Sequence, residues 1–521
     1  MDKYAELARQ EANDESLSPR PGGVAGRGFW NLHSSQFLYP PTFLFPRVPK
    51  GRAYLFSAED TNGRIHSFRA TTPIASLAPI WSEMPEGFVH LKVESLDKQG
   101  RILHTVGSRV FYKCAPFPGR TAYPPKASSY RVCASAAFRF AYRDPMVQHW
   151  LIHGRPDPEY PHNVYPSKMI ESIIRAMVGY AKIEPEHAEN AILLARRAAD
   201  YLISISFTGD HPLAGLPPTY SFDGLNAKAV DAVAPAAKGC VDTMMMIYPV
   251  SAGIGYLDLY CATEEAKYLD AALQIAAYYK ANVLPTGSWY LLYDCTTGKP
   301  LSENLCIDFQ FVHFFHRLYE LTKDEDFHSL EMGHYEYITR ECLSSYHWEG
   351  QFEDIQVSGN YQNLTHFIAD HLIEYIALHH SDDEQMVAEA MELMRFVEDQ
   401  FVVWGNFPLW DPNERDRQYH TPAGLEQYFC YAPIDGSTAT IMSAFLSLYQ
   451  LTGDRLYLEK AMALGDTITR RQNPESGQIP TFWIGKDCQE GYRNFWINCH
   501  IGTAFAMLRL AEITEAEGIE P

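Results

Sequence analysis

The stretch LYQLTGDRLYLEKAM, residues 448–462, decides how the rest of the chain is read. An apolar helical segment ends in a tight polar turn, and a second amphipathic segment starts at once. Two other stretches repeat the pattern, LYCATEEAKYLDAAL at 259–273 and LYELTKDEDFHSLEM at 318–332. Self-similarity at such a period marks a repeated supersecondary unit, here a helical hairpin. Equivalent points fall at Tyr180 in YAKIEPEHAENAIL and at His379 in LHHSDDEQMVAEAM. The anchors Tyr180, Tyr260, Tyr319, His379 and Tyr449 are therefore 80, 59, 60 and 70 residues apart. A sixth first helix, near Asn498 to Ile513, ends one period later.

First helices starting near 167, 249, 305, 364, 436 and 498 suggest a closed ring of inner helices wrapped by outer ones. An open solenoid would share the period; the ring is the reading adopted. Five second helices are visible, which leaves the last outer place vacant or filled by another segment such as the N-terminal arm. Turns within hairpins are tight, whereas the returns at 207–246, 282–304, 345–363, 401–435 and 472–497 are long. Long loops should therefore gather on one rim, where the positive N-terminal ends of the inner helices converge. Loops of that length in a compact domain usually carry function.

Outward from the repeat, residues 29–118 hold short alternating runs such as GRAYLF, RIHSFRA and GFVHLKVESL, with a hairpin turn at Asn62-Gly63. The expected organisation is an arm at 1–28, an antiparallel β-sandwich at 29–118, a connector at 119–148 and a mainly α, (α/α)6-toroid domain at 149–521.

Of the 521 residues, 46 % are hydrophobic and 21 % charged, an ordinary globular composition. A net charge of −21 argues against nucleic-acid and anionic-membrane partners. An anionic substrate stays compatible, because salt screens distant charge over about 10 Å. The first twenty residues hold no apolar stretch of signal-peptide length, and no later run reaches the ~20 apolar residues of a membrane span, so a cytoplasmic location is expected. The ten cysteines form no CxxC pair and read as buried thiols. No HExxH, GxGxxG or GxxxxGK[ST] is present, so neither a metal nor a nucleotide cofactor is expected. The sequence leaves a homo-oligomer open.

The rim loops concentrate aromatic and acidic residues, among them Trp289, Trp348, Trp404, Trp410, Trp483, Trp496, Tyr361 and Tyr431. Aromatic faces can lie against the CH faces of a sugar while carboxylates bond its hydroxyls. Tryptophans that plug the mouth of a ring would give the same composition. Glycosidic hydrolysis needs one protonated carboxylic acid and a second carboxylate on water or carbon. The candidates are Glu353 or Asp354 as acid, and Glu426, with Asp435 as alternate, as the second group. Trp348, Tyr361, Trp410, Tyr431 and Trp496 are candidate sugar contacts, His366 a polar one, and Arg155 or Arg417 a clamp for a sugar carboxylate. Position tempers Asp435: with Asn304, Asn363 and Asn498 it sits where a helix N-cap belongs.

The motif TGDRLYL and the loops PTGSWYLLYDCTTGKPLSENLC, QNPESGQIPTFWI and WEGQFEDIQVSGNYQNLTH resemble those of the six-hairpin (α/α)6-toroid carbohydrate-active enzymes, over about 149–521. That group includes unsaturated glucuronyl hydrolases, sugar epimerases and polysaccharide lyases. The order of β-domain and toroid, with CYAPIDGSTA and WEGQFED, further resembles exo-acting β-glucuronidases of the glycoside hydrolase family 154-like group. The resemblance implies a glycoside hydrolase acting on short, uronate-containing oligosaccharides. The alternatives are a lyase or epimerase in which Tyr or His abstracts a proton, and a non-catalytic carbohydrate binder.

Overall fold

The computed structural model describes residues 2–13, 33–355, 357, 362–405, 419–485 and 487–519. The long helices are α1 (Lys3–Ala12), α2 (Tyr130–Arg143), α3 (Pro166–Ile183), α4 (Ala188–Ser204), α5 (Ile247–Thr263), α6 (Ala266–Asn282) and α7 (Gln310–Thr322). They continue as α8 (Glu325–Tyr337), α9 (Phe367–His379), α10 (Glu384–Phe401), α11 (Asp435–Thr452), α12 (Arg455–Arg471) and α13 (Ile497–Ala516).

The opening motif works through its turn. Thr452, Thr322 and Thr263 each fold the hydroxyl back onto the carbonyl four residues earlier, at 2.7, 2.7 and 2.8 Å. The next residue, Gly453, Lys323 or Glu264, takes a left-handed conformation with φ of 69, 58 or 57°. That conformation stops the helix. Asp454 and Asp324 then cap the following helix by accepting the Leu456 and Asp326 amides. One four-residue signal thus ends one helix and starts its antiparallel partner.

Helices α3, α5, α7, α9, α11 and α13 form the inner ring, backed by α4, α6, α8, α10 and α12. The sixth outer place is taken by α2, which packs on α13 and α3. The N-terminal arm is not what fills it; α1 lies on α12, where Glu11 pairs with Lys460 at 2.9 Å. His500 of α13 reaches the Ala137 carbonyl of α2 at 2.9 Å, and Phe138 meets Phe505 edge to face. First and last helices of the toroid therefore close the ring.

The N-terminal part departs from a full sandwich. Five strands, β1 (Gln36–Phe37), β7 (Ile102–Lys113), β6 (Gly87–Leu96), β3 (Ala53–Glu59) and β4 (Ile65–Ala70), form one sheet in that spatial order. A separate ribbon pairs β2 (Thr42–Leu44) with β5 (Ile74–Ser76). The alternation in β3 buries Tyr54, Phe56 and Ala58 on one face. Six-residue runs could be assigned to strands but not to sheets, because pairing across a sandwich leaves no local signature. The sheet is tied to α10: the Leu38 and Tyr39 amides both donate to Asp399, at 2.7 and 2.8 Å.

The cysteines are unpaired thiols as expected, but five of them are not buried: Cys240, Cys295, Cys430 and Cys499 are half-buried and Cys261 is exposed. No helix among the described residues is long and apolar enough to cross a membrane.

Candidate functional site

The long returns all lead into the N-terminal ends of inner helices, and there a cavity of about 480 Å³ opens along the ring axis. Its mouth is built from the first turns: Lys168 of α3, Tyr248 of α5, Gln310 of α7, Phe367 of α9, and Asn498 and Cys499 of α13. Further down, Glu171, Arg175, His313, Arg317, His371 and Glu374 line it at helical spacing. A smaller cavity of about 250 Å³ shares Ser172, Arg175, His371, Glu374 and Asn498 and continues the axial space.

Two loops bring the acidic residues together. The loop before α9 is fixed by Trp348 Nε1 donating to the Thr365 carbonyl at 3.0 Å and by the Gly350 amide donating to Asn363 at 2.7 Å. The strand Ala423–Gln427 lies beside it, with Thr365 Oγ1 donating to the Glu426 carbonyl at 3.0 Å. The strand in turn rests on the first turn of α11 because Gly424 lacks a side chain. A Cβ there would come within 2.8 Å of the Thr438 nitrogen.

Glu353 is fully buried. Its Oε1 accepts from Lys168 Nζ at 2.6 Å, its Oε2 accepts from the Tyr248 hydroxyl, and its carbonyl accepts from Tyr220 at 2.8 Å. Lys168 is also held over the Trp496 ring, 4.8 Å from its centroid. Asp354, next in the chain, is open to solvent, so its dehydration is partial. Surrounding protein, then the negative charges of Glu353 and Glu426, push its carboxyl up to about 7 against the pull of Lys168. Glu426 lines the cavity; burial raises it above the usual carboxylate range, opposed by Cys430, Gln427, Lys168 and His366.

The remaining candidates take varied places. Asp435 is fully buried and does not line the cavity. Neither of its oxygens has a hydrogen-bond partner of good geometry, and burial raises its carboxyl well above the usual range. Nor is it a cap: it is the first residue of α11, and the preceding Ile434 occupies the cap position. The capping expectation also fails for Asn304, since α7 begins at Gln310, and for Asn363, which bonds Gln427 and Phe429. Asn498 lies inside α13. Counting back from the turns assumed helices of one length, and α7 and α9 are shorter, at 13 residues each.

His366 is buried, with Nδ1 2.6 Å from Asp370, so it acts on Glu426 from behind the cavity wall. Trp348 is 1 % exposed and packs on Phe396. Trp289, Trp404 and Trp483 are buried likewise, so most of the rim tryptophans hold the loops. Tyr431 donates to the Gln400 carbonyl and packs on Phe401, away from the cavity lining. Trp496 supports Lys168. Arg155 is exposed and does not line the cavity. Tyr361, Trp410 and Arg417 lie outside the described residues.

Sequence reasoning passed over the axial residues Glu171, Arg175, His313, His371 and Glu374. Their signal was a polar stripe at i, i+3, i+4 and i+7 on helices otherwise read as core. Every cation among the described lining residues is matched: Lys168 with Glu353, Arg175 with Glu171 at 3.1 Å and Asp258 at 3.0 Å, and Arg317 with Asp258 at 2.7 Å. No grouping of metal-ligating side chains occurs among the described residues.

No protein-family model and no curated protein matches the sequence. Solved structures do. The ring is an (α/α)6 toroid. It is similar to a D-mannose isomerase, with TM-score 0.54, 11 % identity, and 75 % of this chain and 100 % of that one covered. It is also similar to cellobiose 2-epimerase from Spirochaeta thermophila, at TM-score 0.51 and 14 % identity, covering 74 % of this chain and 98 % of that one. A family 76 glycoside hydrolase from a bovine Bacteroides thetaiotaomicron strain matches at TM-score 0.46 and 10 % identity, covering 90 % of this chain and 96 % of that one. At these identities the likeness is one of fold.

Proposed function

We propose that the chain is a glycoside hydrolase acting on short oligosaccharides, with Asp354 as the general acid and Glu426 as the second carboxylate. The observation that carries the reading is the pairing of a solvent-reached carboxyl held near 7 with a second carboxylate in the wall of a sugar-sized cavity. An acid must be protonated at working pH, and the surrounding protein, helped by the charges of Glu353 and Glu426, raises Asp354 towards that state. Glu353 is a positioning residue, because its carboxylate is spent on Lys168 and Tyr248. The exo-β-glucuronidase version of this reading calls for a cation facing the sugar carboxylate. The lining cations described are already matched by carboxylates, and unmatched Glu426 and Asp308 make the wall acidic, so a neutral glycone fits best.

The test is a panel of neutral and uronate-terminated disaccharides assayed for released reducing sugar. Asp354→Asn and Glu426→Gln should each lower kcat/KM by about 10²–10⁴ with little change in melting temperature. Unchanged rates in both would reject the assignment.

A second reading, an isomerase or epimerase, is favoured by one observation. The cavity-lining His371 has a buried Nδ1 without a hydrogen-bond partner, and it lies close enough to Asp308 to influence that carboxyl. Incorporation of solvent deuterium into an uncleaved sugar would establish it in place of hydrolysis.

A further inference from the structure

A second cavity, of about 580 Å³, lies beside the axial one between the loops that precede α7 and α9. Among the described residues, Ile307 and Gln351 face both spaces. The partition they form is fixed, because the Gln351 amide accepts from the Ile307 nitrogen at 3.0 Å and donates to the Leu305 carbonyl at 2.7 Å. A single run of chain serves both sides. Trp348 and Glu349 line the second cavity, Gln351 divides the two, Phe352 lines the axial cavity, and Glu353 and Asp354 follow directly.

The second cavity offers hydrogen-bond acceptors at its edge. Glu303 and the side-chain oxygen of Asn304 line it, while Arg340, the one Lys or Arg among its described lining residues, has its Nε 3.0 Å from Glu341. Leu305, Ile307 and Tyr337 supply apolar surface. Acceptors around an apolar patch suit a ligand that presents many hydroxyl donors and a CH face. A carboxylate in the same place would meet like charge. The volume lies within the roughly 300–1,000 Å³ of small-ligand sites.

We propose that this second cavity is a saccharide subsite that receives the next unit of the substrate on the leaving-group side, and that this unit is neutral and hydroxyl-bearing. The inference rests on the glycosidase reading for the word "leaving", but the binding it describes does not. A chain crossing at Gln351 would run from the axial cavity that Glu426 lines to a following unit among Glu303, Asn304 and Arg340.

The experiment uses the full chain with cello-oligosaccharides, manno-oligosaccharides and their uronate-terminated counterparts of two, three and four units. Binding is followed by saturation-transfer NMR and titration calorimetry, and turnover is measured in parallel. For at least one neutral series, affinity should rise about tenfold from two to three units. Asn304→Leu should remove that gain. Glu303→Gln, a change at an exposed side chain that leaves folding intact, should narrow the preference for a neutral over a uronate third unit at least threefold. A gain that survives in both variants, no gain in any series, or an equal gain from uronate units overturns the proposal. Chain-length-dependent binding without any hydrolysis supports the subsite and refutes the glycosidase reading, so the two failures are distinguishable.

Discussion

Glu353→Gln separates the electrostatic role of this carboxylate from direct participation. Glu353 and Asp354 are adjacent, which puts their carboxyl groups on the order of 7 Å apart. At an effective dielectric near 20, two unit charges at that distance interact by about 2.4 kcal/mol. Asp354 is open to solvent, so we halve this to about 1.2 kcal/mol, or roughly 0.9 of a pKa unit. Asp354 stands at about 7 with Glu353 ionised, and neutralising Glu353 should bring it to about 6. The acid works protonated, so activity is present below its pKa and lost above it. The high-pH limb of kcat/KM should therefore move down by about one unit. At pH 7 the protonated fraction falls from about a half to about a tenth, a roughly fivefold loss beyond any pH-independent effect. Lys168→Met acts in the opposite sense and should move the limb up. The double variant, lacking both charges, should return it close to its original place. Profiles of kcat/KM between pH 4 and 9 on the best disaccharide decide the matter. A limb that stays put in Glu353→Gln, or moves up, refutes the reasoning.

Other outcomes follow from the same structure. Lys168→Met leaves the buried Glu353 without its cation, and because Lys168 is 21 % exposed the cost should be about 2–3 kcal/mol, read as a lower denaturation midpoint; the double variant should recover part of it. Gly424→Ala forces a Cβ to within 2.8 Å of the Thr438 backbone, so it should lower stability by about 1–3 kcal/mol and reduce kcat by displacing Glu426. Burial works to raise the Glu331 carboxyl, but bonds from His316, Tyr375 and His328 outweigh it and hold it below its usual value. The stability it contributes is present above the unfolded value of 4.5 and lost as pH falls through the lower folded value, so Glu331→Gln should flatten the melting-temperature profile in that acid range.

The hairpin repeat was legible because its signal is local. A threonine, a left-handed residue and a capping aspartate do their work within four positions at 322 and 452, and the threonine and left-handed residue recur at 263. Helix starts were less so: α7 begins five residues after the expected 305, since a loop end carries no comparable mark. Glu353, Asp354 and Glu426 could be picked out as rim carboxylates, yet nothing in their spacing showed that Thr365 stitches the two loops together. Trp289, Trp404 and Trp483 misled for a general reason. Composition records that aromatic groups are present, whereas burial decides which way they face. His371 and Arg175 went unread because a polar residue on an apolar helix looks like an exception until six such helices are set around one axis.

The closure of the ring by α2 and α13 has a consequence for synthesis. His500 and the Ala137 carbonyl it touches are 363 positions apart, so the ribosome must add that whole length before the contact can form. At translation rates of about 5–20 residues per second, the apolar flank of α2 waits roughly 20–70 s for its cover. A nascent chain halted anywhere short of α13 carries an open ring with that flank unprotected, and it is this intermediate, rather than the finished protein, that is open to aggregation.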